Sequence, residues 1–218
     1  MITFLSKLFI KDNTNYSSPA VRVRYGMLCG AVGILFNILL FTGKLIEGTL
    51  TGSIGITADA FNNLSDAGSS VITLVGFRLS DTKADKEHPF GHGRFEYIAG
   101  LIVSMAILLM GFELGKTSIE KIIHPEAVTF SFLAVGVLIA SIITKLYMFF
   151  YNRGIGKKID SAAMRATAMD SFSDVAATSM VLLSMLIGKW TGWMIDGYAG
   201  LLVAMFIGYT GIRAAKET

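Results

Sequence analysis

Long apolar stretches alternate with short polar ones six times along the chain. They run over about residues 25–47, 54–79, 97–119, 130–151, 162–187 and 194–212. Each approaches or exceeds the roughly 20 residues a helix needs to cross the hydrocarbon of a bilayer. In lipid, backbone polar groups must be satisfied within the spanning segment, which a helix does by itself. The pattern predicts an all-α, polytopic membrane protein with six transmembrane helices occupying 21–213. Residues 1–20 mix polar and apolar positions without the basic, apolar and cleavage regions of a signal peptide, and read as a short cytoplasmic lead. Residues 214–218 form a brief C-terminal end. The polar run DTKADKEHPFGHGRFE, 81–96, separates spans two and three, and His124-Pro125 breaks the chain after span three.

Composition agrees with this parse and narrows it. Of 218 residues, 53% are hydrophobic and 16% charged, so no large soluble domain fits beside six spans. The single cysteine, Cys29, lies in an apolar run, which leaves neither a disulfide framework nor a thiolate metal site within one chain. The net charge of +3 is small and follows topology, so no nucleic-acid partner is expected. Short cytoplasmic segments of membrane proteins collect lysine and arginine. With both termini inside, 14 basic residues fall on the cytoplasmic side and only Lys116, Lys121 and Lys189 outside, with Lys44 and Lys145 left within spans. That asymmetry supports six spans in an integral protein of the bacterial inner or plasma membrane, surrounded by lipid, with both ends cytoplasmic.

An internal echo points to the chemistry. Ala58–Asp66 in span two and Ala166–Asp174 in span five share the pattern A-x-A-x-[ND]-x-x-S-D at an offset of 108 residues. Both are followed by small residues, which let membrane helices approach closely. Transporters often carry two related elements around a midplane site. Asn62 and Asp66 are four apart, as are Asp170 and Asp174, so each pair shares a helix face. An ionisable group within a span costs roughly 2.5–3.5 kcal/mol on insertion scales, which makes each a functional candidate. If spans two and five pack together, three carboxylates and one amide converge on a site for a divalent cation. The plainer reading has each polar pair bonding neighbouring helices, but three carboxylates would repel one another without a cation or protons.

The ligand types bear on the metal. Zinc favours histidine and cysteine, whereas carboxylate and carbonyl oxygens suit manganese, magnesium and calcium. All three histidines, His88, His92 and His124, lie in loops. Magnesium sheds water reluctantly and calcium prefers more ligands, so manganese(II) (Mn2+) is the first choice and iron(II) or another first-row ion the next. The metal is cargo, and no prosthetic group is expected.

The run GKLIEGTLTGSIGITADAFNNLSD, the loop HPFGHGRFEYIAG and the second D-x-x-x-D in span five resemble the cation diffusion facilitator family of divalent-metal transporters, over about residues 25–212. The resemblance implies a homodimeric, proton-coupled exporter with six spans and a transport site joining spans two and five. Carried over by position, that site is Asn62, Asp66, Asp170 and Asp174. Zinc-type members place histidine at one or both of the positions of Asn62 and Asp170, so this set is similar to the manganese branch, with Zn2+, Fe2+ or Cd2+ as the alternative cargo. Asp85, His88 and His92 resemble a second, loop-borne metal site of some zinc-type members. Against that, HPFGHGR also reads as a structural joint, with Gly91 and Gly93 in the turn. Many members continue after span six into a cytoplasmic, dimerising and metal-sensing domain; the sequence here ends at Thr218 without one.

Other polar span residues carry less. Asp59 lies seven residues before Asp66 on the same face and either lines an exit path or bonds span one. Asn37, Lys44, Glu113, Lys145 and Asp196 are candidate interhelical partners, and Lys44 and Lys145, near predicted span ends, are expected to snorkel. Membrane enzymes with paired aspartates are the competing class. The G-x-G-D element of intramembrane aspartyl proteases is absent, and no D-x-x-D-G-x-x-A-R run precedes Asp170 as in a membrane-embedded, metal-dependent phosphotransferase. A passive channel would not need tight carboxylate coordination.

Overall fold

The computed structural model describes residues 2–10, 14–51, 54–82, 91–124, 131–191 and 195–218. These form seven helices: α1 (Ile2–Phe9), α2 (Pro19–Thr51), α3 (Ile54–Ser80), α4 (Arg94–Ile123), α5 (Phe132–Lys158), α6 (Ala162–Thr191) and α7 (Asp196–Glu217). Among the described residues there is no strand. The six predicted apolar segments correspond to α2–α7, and most of these helices outrun their apolar stretch by a turn or more, because polar residues extend a helix beyond the segment that hydropathy marks. The lead, to which the sequence assigns no element, contains α1. Its first residue, Ile2, and Ile10 just after it are buried in a cluster with Val21, Tyr25 and Phe77, and the Ile2 backbone N–H donates to the Tyr147 hydroxyl at 3.1 Å.

Burial is distributed in the opposite sense to that of a water-soluble bundle. Leu35, Leu39, Leu109, Phe112, Phe132, Phe150, Leu202 and Met205 are exposed, while Asn37, Lys44, Asp66, Ser104, Lys145, Asp170 and Ser173 are buried. Five described helices, α2 and α4–α7, are long and apolar enough to cross a membrane. Apolar exteriors of this extent belong in lipid, and the chain is an integral membrane protein. The remaining long helix, α3, has 27 residues, about 40 Å of helix, but carries Asp59, Asn62, Asn63 and Asp66 on successive turns.

The helices pair as α2 with α3, α4 with α7 and α5 with α6, and α6 also touches α3, α4 and α7. The α5–α6 hairpin turns within three residues. Asp160 there adopts a left-handed backbone, φ 48°, and the Ser161 hydroxyl accepts from the Met164 N–H at 3.2 Å, capping α6. A hydrogen bond from Arg165 at 2.8 Å, reinforced by its charge, holds the exposed Asp160 carboxyl below the usual aspartate range. At the same end Arg22 of α2 donates to the Ile159 carbonyl at 2.7 Å and pairs with Glu96 of α4 at 3.3 Å. One guanidinium thereby joins three elements, using the fork of donors that a lysine lacks.

Small residues set the interhelical distances. A Cβ placed on Gly76 of α3 would come 2.5 Å from Ala99 Cβ and 3.2 Å from the Phe95 carbonyl of α4, whereas one on Gly136 of α5 meets nothing within 4 Å. Gly76→Ala is therefore expected to force α3 away from α4 and destabilise the protein by about 1–3 kcal/mol, as overpacking does. Gly136→Ala should be neutral or gain about 0.5–1 kcal/mol from helix propensity. Thermal unfolding in detergent checks both, and equal melting temperatures for the two variants would contradict the close approach.

Candidate functional site

The repeated motif brings three carboxylates to one place. Asp66 projects from α3, and Asp170 and Asp174 project from α6 one turn apart, so that one oxygen of each lies within 4.8 Å of the others. The three residues are only 5%, 4% and 8% exposed. Small neighbours permit this: Ala67, Ala166, Ala168 and Ser173 are buried beside them and add little bulk between the helices. Hydrogen bonds fix the register. The Thr73 and Thr167 hydroxyls meet at 3.1 Å across α3 and α6. Ser70 donates to the Asp66 carbonyl at 3.0 Å and accepts from Asn37 of α2 at 3.4 Å. Asn37 is thus the interhelical partner that its place in span one suggests.

A fourth charged group completes the cluster. Lys145 Nζ lies 2.7 Å from Asp66 Oδ2 and 2.6 Å from Asp174 Oδ2, and Lys145 is 2% exposed. The expectation that Lys145 snorkels is overturned. Because α5 continues to Lys158, Lys145 is at the middle of the helix, about 20 Å of axial rise from either end, and its ammonium turns inward to the acids. Lys44 departs from the same expectation for the same reason. With α2 extending to Thr51, Lys44 is buried and pairs with Asp59 of α3 at 2.8 Å. Of the two readings of Asp59, the structure gives the bond to span one. Lys145 could have been suspected from the sequence by counting charge, since three intramembrane acids call for a cation and a mid-span lysine is one.

The rest of the predicted set is distributed differently. Asn62, one turn before Asp66, is exposed, whereas the adjacent Asn63 is buried. The Asn63 amide donates to the Asp59 carbonyl at 2.9 Å, and among the described residues its Oδ1 accepts no hydrogen bond. Glu113 is exposed on α4. His92 is buried and stacks on Phe95, ring centroids 5.7 Å apart. Asp85 and His88, its partners in the predicted loop site, lie outside the described residues, as does the side chain of Asp196.

With all groups ionised, three carboxylates and one ammonium carry a formal charge of −2 (−3 and +1). Asp66, Asp170 and Asp174 could together hold one divalent cation, and an all-oxygen set of this kind suits hard ions such as manganese better than zinc.

Comparison with known proteins bears on the whole chain. Residues 31–218 match the model of the cation efflux transmembrane domain. The sequence is 34% identical over 176 residues to an uncharacterized transporter of Methanocaldococcus jannaschii, covering 81% of this chain and 62% of that one. It is 30% identical over 187 residues to the manganese efflux system protein MneS of Bacillus subtilis, covering 86% and 64%. It is also 30% identical over 197 residues to the cation-efflux pump FieF of Salmonella paratyphi A, covering 88% and 65%. The chain spans less than two thirds of the length of these relatives. A domain match over nearly its full length, and relatives named as transporters and efflux pumps, make this chain a member of the cation efflux, or cation diffusion facilitator, family, whose members are transporters and not enzymes.

Proposed function

We propose that this chain exports divalent transition-metal cations, Mn2+ foremost, from the cytoplasm in exchange for protons. The observation that carries the reading is the buried convergence of Asp66, Asp170 and Asp174 from α3 and α6 inside a bundle whose exterior is apolar. Isolated charges are expensive there, and three of one sign this close need a cation or protons to offset them. Asn62, on the same helix one turn from Asp66, joins as a neutral oxygen ligand when the site is occupied. Manganese is favoured by the oxygen-only donor set, and the likeness to a relative named for manganese efflux supports the same choice. Fe2+, Zn2+ or Cd2+ is the alternative cargo of the same site.

The proposal includes α3 as a sixth membrane crossing. Its length suffices, and its polar residues face partners on α2 and α5 through the Lys44–Asp59 and Lys145–Asp66 pairs. The distribution of basic residues supports a topology with both ends of the six-helix unit in the cytoplasm, and the proposal takes the membrane as that of a bacterial cell. The proposal also includes a homodimer in the plasma membrane, as the resemblance to the family implies. Transport proceeds by alternating access. The ion exchanges its hydration for the carboxylate oxygens, and protons from the far side compete for those oxygens and release it. No histidine lies in any of the long helices, which favours the carboxylates as the groups that take the exchanged protons.

Replacing Asp66, Asp170 or Asp174 by alanine is expected to abolish Mn2+ flux into proteoliposomes while the protein elutes as folded material in detergent. Asn62→Ala, which deletes a neutral ligand that water can replace, should slow flux but retain it. Full transport by any aspartate variant removes that residue from the site. Asp170→His should move preference toward zinc or cadmium by replacing a hard oxygen with a borderline nitrogen. Competition between metals in the same flux assay reads this, and an unchanged manganese preference means that geometry rather than ligand type selects. Metal binding should release protons and weaken as pH falls. Calorimetry in buffers of different ionisation enthalpy counts them, and a count of zero removes the carboxylates as proton carriers.

A further inference from the structure

We propose that Lys145 is a tethered cation that holds the place of the metal in the metal-free transporter and that the incoming ion must displace. The inference rests on the reading of Asp66, Asp170 and Asp174 as the transport site. Its starting point is geometric. Lys145 Nζ bridges Asp66 Oδ2 on α3 and Asp174 Oδ2 on α6 at 2.7 and 2.6 Å. An ion that linked the two helices through these same oxygens would sit where the ammonium is. A metal bound to both at about 2.0–2.6 Å needs the space that the ammonium fills. Two cations a few ångströms apart in a low-dielectric interior also repel strongly. The lysine bridge and a metal bound to both oxygens therefore exclude each other.

A purely architectural role explains less. Buried ion pairs are a costly means of holding helices together, and apolar residues of similar volume often do so as well or better. Helix α5 is held to α6 by extensive contacts of its own, and what the bridge adds is a link to α3, the helix that carries Asp66. A cation tied to α5 does what a structural pair need not. The ammonium offsets one negative charge of the acid cluster, which lowers the cost of burying it while no metal is bound. It also weakens metal binding by competing for two of the three acids, which favours release. Asp170 lies outside the bridge, within 4.8 Å of the other two acids, and is the carboxylate at which an arriving ion can bind before the lysine leaves.

The test compares Lys145→Met and Lys145→Gln, which remove the charge, with Lys145→Arg, which keeps it, in the full chain purified in detergent. Mn2+ affinity is measured by calorimetry and turnover in proteoliposomes at saturating Mn2+. The neutral variants are expected to bind Mn2+ at least about tenfold more tightly than the unaltered protein and to turn over more slowly, because release slows when the competitor is gone. Lys145→Arg should stay within a few-fold of the unaltered affinity. Folded neutral variants with equal or weaker Mn2+ binding overturn the proposal. Failure of both neutral variants to fold, with Lys145→Arg folding, assigns the lysine to architecture and overturns it as well. If the unaltered chain binds no Mn2+, or if Asp170→Ala binds it undiminished, the assignment of the transport site fails first, an outcome distinct from failure of the lysine's role.

Discussion

Three carboxylates held within 4.8 Å of one another in the interior of a membrane protein impose the constraint that the remaining structure answers. Charge in such a place is tolerated only when it is paired, hydrated or bound to a cation. The polar character of α3, the alanine and serine residues flanking the acids, and the inward turn of Lys145 all follow from it. Bulky side chains next to Asp66 or Asp174 would separate α3 from α6 and leave each acid alone. The small ones allow the Thr73–Thr167 contact at 3.1 Å, one helical turn from Asp170.

The two helices that carry the acids are braced differently. α6 touches four neighbours and joins α5 through a three-residue turn closed by Ser161, with Asp160 in a left-handed conformation. α3 is held mainly by α2 and α4, the latter through the bare face of Gly76 against Ala99. Arg22 then ties α2, α4 and the α5–α6 turn together at one end of the bundle. Displacement of α3 relative to α6 would change the acid cluster directly while leaving the α4–α7 pair intact. That division suits a protein whose site must open alternately to two sides.

Two lysines serve the interior in parallel. Lys44 pairs with Asp59 and Lys145 with Asp66 and Asp174, so both acids that α3 contributes from its inner face are matched by a cation from a neighbouring helix. Asp59 remains partly accessible, its side chain 35% exposed, whereas the Lys145 cluster is closed. The ion pairs thus grade from a half-open position near the start of α3 to an enclosed one at its middle.

By itself the sequence determined the membrane class, the six long helical segments and the three acids. These depend on local quantities: the length of an apolar run, the four-residue spacing of Asp170 and Asp174, and the recurrence of one motif 108 residues apart. It determined less at the helix ends, because hydropathy marks where lipid stops and not where hydrogen bonding stops, and α5 runs seven residues past the predicted end of its span. That difference decided Lys145. Placed near a span end the lysine has water within reach, but placed mid-helix it has only Asp66 and Asp174. Which asparagine turns inward, Asn62 or Asn63, and the burial of Ile2 and Ile10 in a cluster with Phe77 were likewise settled by tertiary packing. Charge neutralisation and close packing join residues far apart in sequence, and no spacing along one helix records which neighbour lies opposite.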